Sequence, residues 1–132
     1  MADHNDIGRW GEEAARDYLV SRGYAIVGTN VRWGNVEIDI IAMEGTFIVF
    51  AEVKTRADRK LDPALAVDER KLRRLCRAAD SYVSHYDLHA DPRIDLLCVT
   101  GTPEEGIRRL DHYPDIYLPG GHLTIPAIPD TD

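Results

Sequence analysis

VEIDIIAMEGTFIVFAEVKTR, residues 36–56, decides the fold of this chain. Two runs of apolar residues, 36–43 and 46–55, are rich in β-branched and aromatic side chains and predict two strands. Glu44 and Gly45 separate the runs, and a loop of two residues that contains glycine is typical of a β-hairpin. The segment therefore predicts an antiparallel pair at the centre of the fold.

The predicted hairpin has a definite register. If Glu44 and Gly45 form the loop, Met43 pairs with Thr46 and Glu37 lies opposite Glu52. Because successive side chains of a strand point to opposite faces, the register sorts the hairpin into two sets. The first set is apolar and should be buried: Val36, Ile38, Ile40, Ala42, Phe47, Val49, Ala51 and Val53. The second set carries the charges: Glu37, Asp39, Ile41, Ile48, Phe50, Glu52 and Lys54.

The second face has the residues that a metal-dependent phosphodiesterase requires. Asp39 and Glu52 are hard oxygen ligands of the kind that Mg²⁺ or Mn²⁺ prefers, and the Val53 carbonyl is a candidate third ligand. Lys54 is placed to orient an attacking water or to stabilise the developing negative charge. An exposed strand face, with Lys54 as a cross-strand ion-pair partner of the acids, explains the same spacing.

The remaining elements complete an α/β pattern. Periodicity predicts a first helix over residues 6–22, a strand over 24–30, and a second helix of about twenty residues capped by Asp68. Two more strands are predicted at 94–100 and 107–113. The order α-β-β-β-α-β-β indicates a mixed β-sheet with helices packed on it.

Length and composition fit a single domain. The chain has 132 residues, from which we predict a compact domain over residues 1–113 and a loosely attached, Pro- and Gly-rich tail over 114–132. Cys76 and Cys98 lie in apolar surroundings that suit reduced thiols in a cytoplasmic protein. No apolar run is long enough for a membrane helix.

The charge of the chain is unevenly distributed. The net charge is −7, yet residues 54–77 contain 9 basic and 4 acidic side chains directly after the carboxylate pair. Such a basic block is a candidate phosphate-facing surface, and a solvated helix face would look the same.

Several short motifs resemble a known family when they are taken together. The chain resembles the YraN-like family of small bacterial proteins, within the restriction-endonuclease-like PD-(D/E)xK nuclease superfamily, and is similar to archaeal Holliday-junction resolvases. The matching residues run in the family order over roughly residues 8–100. They are Gly11-Glu12, Asn30, Arg32, Glu37 to Ala42, Phe50 to Arg56, Ala66-Val67, Lys71 and Arg93-Ile94-Asp95. One departure is Val36, where the family usually has a small residue.

The resemblance implies a restriction-endonuclease-like fold and adds residues to the candidate site. It brings Glu12 into the catalytic set and makes Glu37 a possible outer-shell ligand or a partner of a nearby arginine. Asp95 is expected to be a structural partner of a basic side chain such as Arg93. Trp33, in the loop beside the site, is a candidate for base stacking. The candidate nucleic-acid contacts are Arg32, Arg56, Lys71 and Arg74.

The sequence-based hypothesis is a metal-dependent DNA endonuclease that uses Mg²⁺ or Mn²⁺, with branched or structured DNA as a candidate substrate. Asp39, Glu52, Lys54 and Glu12 form the catalytic set. The alternative is a non-catalytic nucleic-acid-binding module that retains the nuclease fold, which the acidic net charge favours. A homodimer is compatible with either reading.

Overall fold

A computed structural model describes residues 4–57 and 68–116 of the protein. The motif at residues 66–67 and most of the predicted tail, 117–132, lie outside the described residues. Neither described helix is long and apolar enough to cross a membrane. The elements are α1 (His4–Ser21), β1 (Ala25–Trp33), β2 (Val36–Glu44), β3 (Phe47–Arg56), α2 (Glu69–His85), β4 (Asp91–Thr102) and β5 (Gly106–Tyr113).

The five described strands form one mixed sheet in the order β1-β2-β3-β4-β5. Only β3 and β4 pair in parallel, and α2 makes the connection between them. The predicted element order and the mixed sheet are confirmed. The strand β1 continues to Trp33, three residues beyond the predicted end at Asn30.

The predicted hairpin register is wrong by two residues. Glu44 pairs with Phe47 and Met43 with Ile48, so the loop is Gly45 and Thr46. Gly45 has a φ of 58°, and a glycine with positive φ at the first loop position is the type II′ arrangement that suits the twist of a hairpin. Because side chains alternate with a period of two, a shift of two residues leaves each residue on the same face of the sheet. The faces predicted for the residues near the loop are therefore correct.

The alternation breaks near Asp39, which the sequence did not predict. Ile40 packs on the α1 side of the sheet, but Ile38 packs with Ile41 on the α2 side. Asn30 lies between the Thr29–Ile40 and Val31–Ile38 pairs and has a φ of 51°. This left-handed residue interrupts the pleat, so the arm formed by residues 31–38 turns its apolar side chains toward α2.

Hydrophobic residues are buried on both faces of the sheet. One cluster lies on the side of the sheet that α1 covers, and it contains most of the residues of the predicted apolar face. The other lies on the side that α2 covers, and it buries the apolar residues of the predicted charged face. The buried residues of the α1 side are Ala15, Leu19, Tyr24, Ile40, Ala42, Val49, Ala51, Val53, Leu97 and Val99. Those of the α2 side include Ile38, Ile41, Ile48, Phe50, Leu72, Leu75, Ala79, Ile94, Leu96 and Cys98.

A buried ion pair on β4 confirms the structural role predicted for Asp95. Asp95 is fully buried and accepts hydrogen bonds from Arg93 Nε at 2.9 Å and from His112 Nε2 at 2.7 Å. Burial alone would raise the pKa of Asp95, but the hydrogen bond to His112 and the Arg93 guanidinium outweigh it and lower the pKa. Arg93 also donates to Glu44, which ties β4 to the end of β2.

Arg93→Met should lower the free energy of unfolding by about 3–5 kcal/mol, because it leaves the buried Asp95 carboxylate without its main counter-ion. The matched control is Arg73→Met, which removes an exposed ion pair with Glu69 and should cost less than about 0.5 kcal/mol. Urea unfolding monitored by circular dichroism measures both. Equal effects of the two substitutions would contradict a stabilising role for the buried pair.

Helix α1 approaches β3 closely at Gly11. A Cβ atom at this position would collide with the side chain of Thr55, including its Cβ. Thr55 is short and β-branched, so it has few ways to move aside. Gly11 is therefore required for the packing distance of α1, and this distance sets the position of its neighbour Glu12.

Gly11→Ala should destabilise the protein by about 1–3 kcal/mol through overpacking, despite the better helix propensity of alanine. Gly8→Ala is the control, because a Cβ there meets no atom within 4 Å. That control should be neutral or stabilise the helix by up to about 1 kcal/mol. Thermal unfolding compares the two, and a Gly11→Ala variant as stable as the Gly8→Ala variant would refute the close-packing assignment.

Candidate functional site

The candidate site lies where β2 and β3 separate. Their ladder ends at the Ile40–Ala51 pair, one residue before Asp39. Asp39 Oδ2 accepts a hydrogen bond from the Val53 N–H at 2.8 Å. The side chain thus takes the place of the next backbone acceptor and lies beside β3, between the two faces of the sheet, rather than on one face as predicted.

Two lysines surround the carboxylate of Glu52. Glu52 is only 8% exposed, and its Oε1 is 2.7 Å from Lys71 Nζ and 3.5 Å from Lys54 Nζ. Burial alone would lower the pKa of Lys71, but the hydrogen bond and charge of Glu52 outweigh it and raise the pKa. Lys71 therefore joins the site from α2 as a charged group, although the sequence suggested only a phosphate contact.

Glu12 reaches the site from α1. Its Oε1 atom is buried and has no hydrogen-bond partner among the residues that the structure describes. Burial, and then the charges of Glu37 and Glu52, raise the pKa of the Glu12 carboxyl group. The family resemblance placed Glu12 here, and the structure brings it within electrostatic reach of the other acids.

The crowding of acids changes the titration of Asp39. Burial is the largest cause and the charge of Glu52 the second, and together with Glu12 they raise the pKa of Asp39 to about 7. The Val53 N–H and Lys71 act in the opposite direction but do not compensate. A positive charge near Asp39 would relieve this repulsion.

These residues line a cleft of about 380 Å³ between the beginnings of α1 and α2 and the end of β3. Glu12, Asp39 and the run from Glu52 to Ala57 contribute to the wall, as does Lys71. The cleft therefore brings together all four predicted catalytic residues, Val53, and the predicted contacts Arg56 and Lys71.

The other predicted nucleic-acid contacts lie outside the lining of the cleft. Arg74 is exposed on α2, one turn beyond Lys71, and Arg32 is exposed on β1. Glu37 is the cross-strand neighbour of Arg32 and is exposed. Its charge acts on Glu12, so it stands at the edge of the site rather than inside it.

The donor set of the cleft fits a hard divalent cation. Mg²⁺ commonly binds proteins through one or two carboxylates and keeps several waters, so Asp39 and Glu52 would suffice. The unpartnered Glu12 Oε1 and the raised pKa of Asp39 are what a carboxylate site shows without its counter-ion. In residues 4–57 and 68–116 no three acid, histidine or cysteine side chains already converge as ligands, and Glu52 Oε1 is in contact with Lys71.

Sequence reasoning missed the contacts that depend on long-range packing. The Lys71–Glu52 pair joins residues 19 apart, and no local pattern encodes it. Trp33, predicted in a loop as a stacking residue, belongs to β1 and packs against Tyr82 of α2 at a ring distance of 5.1 Å. The helical spacing of Tyr82, His85 and Tyr86 was the available signal for an aromatic partner.

The α-β-β-β-α-β-β order and the mixed sheet with helices on both faces are consistent with a restriction-endonuclease-like domain. The sequence profile of the Uncharacterised protein family UPF0102 matches residues 11–99, and the chain belongs to this family, the YraN-like proteins of the sequence resemblance. Similar members are UPF0102 proteins of Parabacteroides distasonis and Bacteroides thetaiotaomicron. The first is 42% identical over 89% of this chain and 96% of its own length. The second is 40% identical over 90% of this chain and 98% of its own length. A UPF0102 protein of Oleidesulfovibrio alaskensis is 50% identical over 74% of this chain and 49% of its own.

Ionisation of Asp39 should destabilise the metal-free protein as the pH rises. Its pKa is about 7 in the folded state and about 3.9 when unfolded, so stability present at low pH is lost between about pH 4 and pH 7. Asp39→Asn retains an acceptor for the Val53 N–H but cannot ionise, so at neutral pH it should be more stable than wild type by up to about 4 kcal/mol.

Urea unfolding in the presence of a chelator, repeated across this pH range, measures the difference in the free energy of unfolding between the two proteins. The control Asp17→Asn removes an exposed acid from α1 and should follow the wild-type pH profile. If the stability of wild type and of Asp39→Asn depended on pH in the same way, ionisation of Asp39 would not destabilise the folded protein, contrary to the prediction.

Proposed function

We propose that the protein is a metal-dependent DNA endonuclease that hydrolyses phosphodiester bonds. The observation that carries this proposal is the cleft in which Asp39, Glu52 and Lys54 meet at the separation of β2 and β3. Two carboxylates can hold a divalent cation that assists phosphodiester hydrolysis, and a lysine beside them can stabilise the negative charge that develops.

Asp39 and Glu52 would hold a Mg²⁺ or Mn²⁺ ion, with the Val53 carbonyl as a further ligand. The bound ion would supply Lewis-acid stabilisation of the phosphoryl oxygens and a more acidic water. The Val53 N–H holds Asp39 in orientation through the hydrogen bond of 2.8 Å. Because Asp39 is already fixed to the β3 backbone, little entropy is lost in arranging this half of the site.

Lys54 and Lys71 have different roles in the proposal. Lys54 follows Glu52 by two residues on β3 and lies along the wall of the cleft, where its ammonium can orient the attacking water or stabilise developing negative charge. Lys71 neutralises Glu52 in the metal-free protein and would turn to a substrate phosphate once the cation replaces it. Arg56 is exposed at the mouth of the cleft and is positioned for a second phosphate contact.

Glu12 acts as a supporting acid in this arrangement. Its buried Oε1 is available to accept a hydrogen bond from a water bound to the cation. Glu37, at the exposed edge, would contribute only through its charge and through solvent. The catalytic set therefore has an inner part on β2 and β3 and a supporting part on α1.

A DNA-binding module without catalysis is the second candidate. The observation that favours it is the close Lys71–Glu52 pair, which occupies a ligand of the proposed metal site. Such a module would bind DNA with a strong dependence on salt and would tolerate Glu52→Gln.

The proposal includes a cytoplasmic location and action as a two-fold dimer on duplex DNA. The location is supported by the two thiols of the described residues, Cys76 and Cys98, which are free. Burial raises the pKa of Cys98 to about 12 and that of Cys76 to about 11, so both are poor nucleophiles for disulfide exchange.

Calorimetric titration with Mn²⁺ and cleavage of branched, nicked and single-stranded DNA test the proposal together. Wild type should bind the ion and cleave, and Asp39→Asn and Glu52→Gln should lose ion binding. Lys54→Met should bind the ion but cleave roughly 10²–10³-fold more slowly, because it loses only transition-state stabilisation. Asp17→Asn, an exposed acid on α1, is the control and should behave as wild type.

The results separate the two candidates. Cleavage that persists unchanged in Lys54→Met and Asp39→Asn belongs to a contaminant and would overturn the catalytic assignment. Salt-sensitive DNA binding without Mn²⁺ binding or cleavage would establish the non-catalytic module instead.

A further inference from the structure

Four aromatic side chains form a cluster at the end of α2, which we call the aromatic cap: Trp33, Tyr82, His85 and Tyr86. The ring of Trp33 lies 5.1 Å from Tyr82, 5.2 Å from His85 and 5.7 Å from Tyr86. The Trp33 indole N–H donates to Ser81 Oγ at 3.1 Å, which fixes the ring in the plane it occupies. The four rings are therefore close enough to contact one another and form one continuous aromatic surface.

The aromatic cap remains accessible to solvent. Tyr86 is 52% exposed and His85 is also exposed, whereas Trp33 and Tyr82 are half-buried beneath them. Trp33 and Tyr82 complete the packing of the arm on α2, but the outward ring of Tyr86 adds little to that core. An exposed aromatic ring supported by other rings is a suitable platform for stacking a base.

Basic side chains connect the cap to the cleft along the same helix. The first half of α2 carries exposed Arg70, Lys71, Arg73, Arg74 and Arg77, and Lys71 reaches the cleft itself. From Lys71 to Tyr86 the helix rises about 22 Å, the length of roughly six nucleotides of a duplex strand. A strand that follows α2 from the cleft would arrive at the cap.

The charge pattern indicates which part of the strand reaches the cap. Asp80 and Asp87 flank the cap in sequence, and after Arg77 the only basic side chain within α2 is that of His85, a member of the cap itself. Phosphates are therefore favoured along the first half of the helix and disfavoured at its end. The group that fits an acidic, aromatic end is the uncharged face of a base, and a base is accessible only where the DNA is unpaired.

We propose that the aromatic cap binds an unpaired base, so that the substrate is DNA with a single-stranded segment about six nucleotides from the cleft. This inference rests on the proposed function and specifies its substrate class. It assigns Tyr86 as the stacking residue, Trp33 and Tyr82 as its support, and the arginines of α2 as the phosphate track.

Trp33 provides a direct reporter, because the chain has only two tryptophans. In the full-length Trp10→Phe variant, in a chelator so that cleavage plays no part, unlabelled single-stranded oligothymidine should change the fluorescence of Trp33. A fully paired duplex should cause a much smaller change. Fluorescence anisotropy of labelled oligothymidine measures the same affinity with protein that retains Trp10.

Tyr86→Ala should weaken oligothymidine binding about 5- to 150-fold, since stacking of a base on an aromatic ring contributes roughly 1–3 kcal/mol. Tyr86→Phe should retain wild-type affinity, because it keeps the ring, and both variants should unfold at nearly the wild-type urea concentration. Unchanged oligothymidine affinity in Tyr86→Ala, or bound oligothymidine without a Trp33 signal, would overturn the inference.

The outcome is independent of catalysis. Loss of oligothymidine affinity in Tyr86→Ala, found with no cleavage by wild type, would retain the cap as a binding site and reject the nuclease. Cleavage of duplex DNA at the same rate in wild type and Tyr86→Ala, without preference for single-stranded segments, would reject the cap and retain the nuclease.

Discussion

The hydrogen bond from the Val53 N–H to Asp39 is the interaction on which the rest of the site depends. It forms where the β2–β3 ladder stops, and it replaces a backbone acceptor by a carboxylate. Because the N–H of Val53 is satisfied in this way, β2 can leave β3 without an unpaired backbone donor. The departing strand opens the space that becomes the cleft, and the carboxylate that permits the opening is itself part of the wall.

The charge of the acidic side chains is a second constraint at the point where β2 and β3 separate. Burial and the neighbouring acids raise the pKa of Asp39 to about 7, while Lys71 and Lys54 approach Glu52. The site is therefore only partly neutralised in the absence of a cation. Core packing on both faces holds the acids in place against this repulsion, and the close contact of Gly11 with β3 brings Glu12 to the same point. A fold that maintains such strain is typical of a functional site.

Local patterns in the sequence predicted the elements but not every relation between them. The apolar alternation of β2 and β3, the Asp68 cap and the turn at Gly45 encode strands and helices through short-range physics, and they were confirmed. The register was wrong by two residues because a type II′ turn places the glycine first, and either placement of the loop satisfies the alternation.

The break of the pleat opposite Asn30 was not predictable in the same way. It depends on one residue with a positive φ and on the packing of the arm on α2, which no local pattern shows. The approach of Lys71 to Glu52 likewise depends on how α2 crosses the sheet. Glu12 was located only through the family resemblance, since an acid on an amphipathic helix is ordinarily a solvated residue.

Diffraction from crystals soaked in Mn²⁺, with anomalous differences, tests the central claim most directly. A peak is expected in the cleft within about 2.5 Å of carboxylate oxygens of both Asp39 and Glu52, with Lys71 displaced from Glu52 Oε1. A cleft without a peak, in which Lys71 still contacts Glu52 in the presence of saturating Mn²⁺, would contradict that claim.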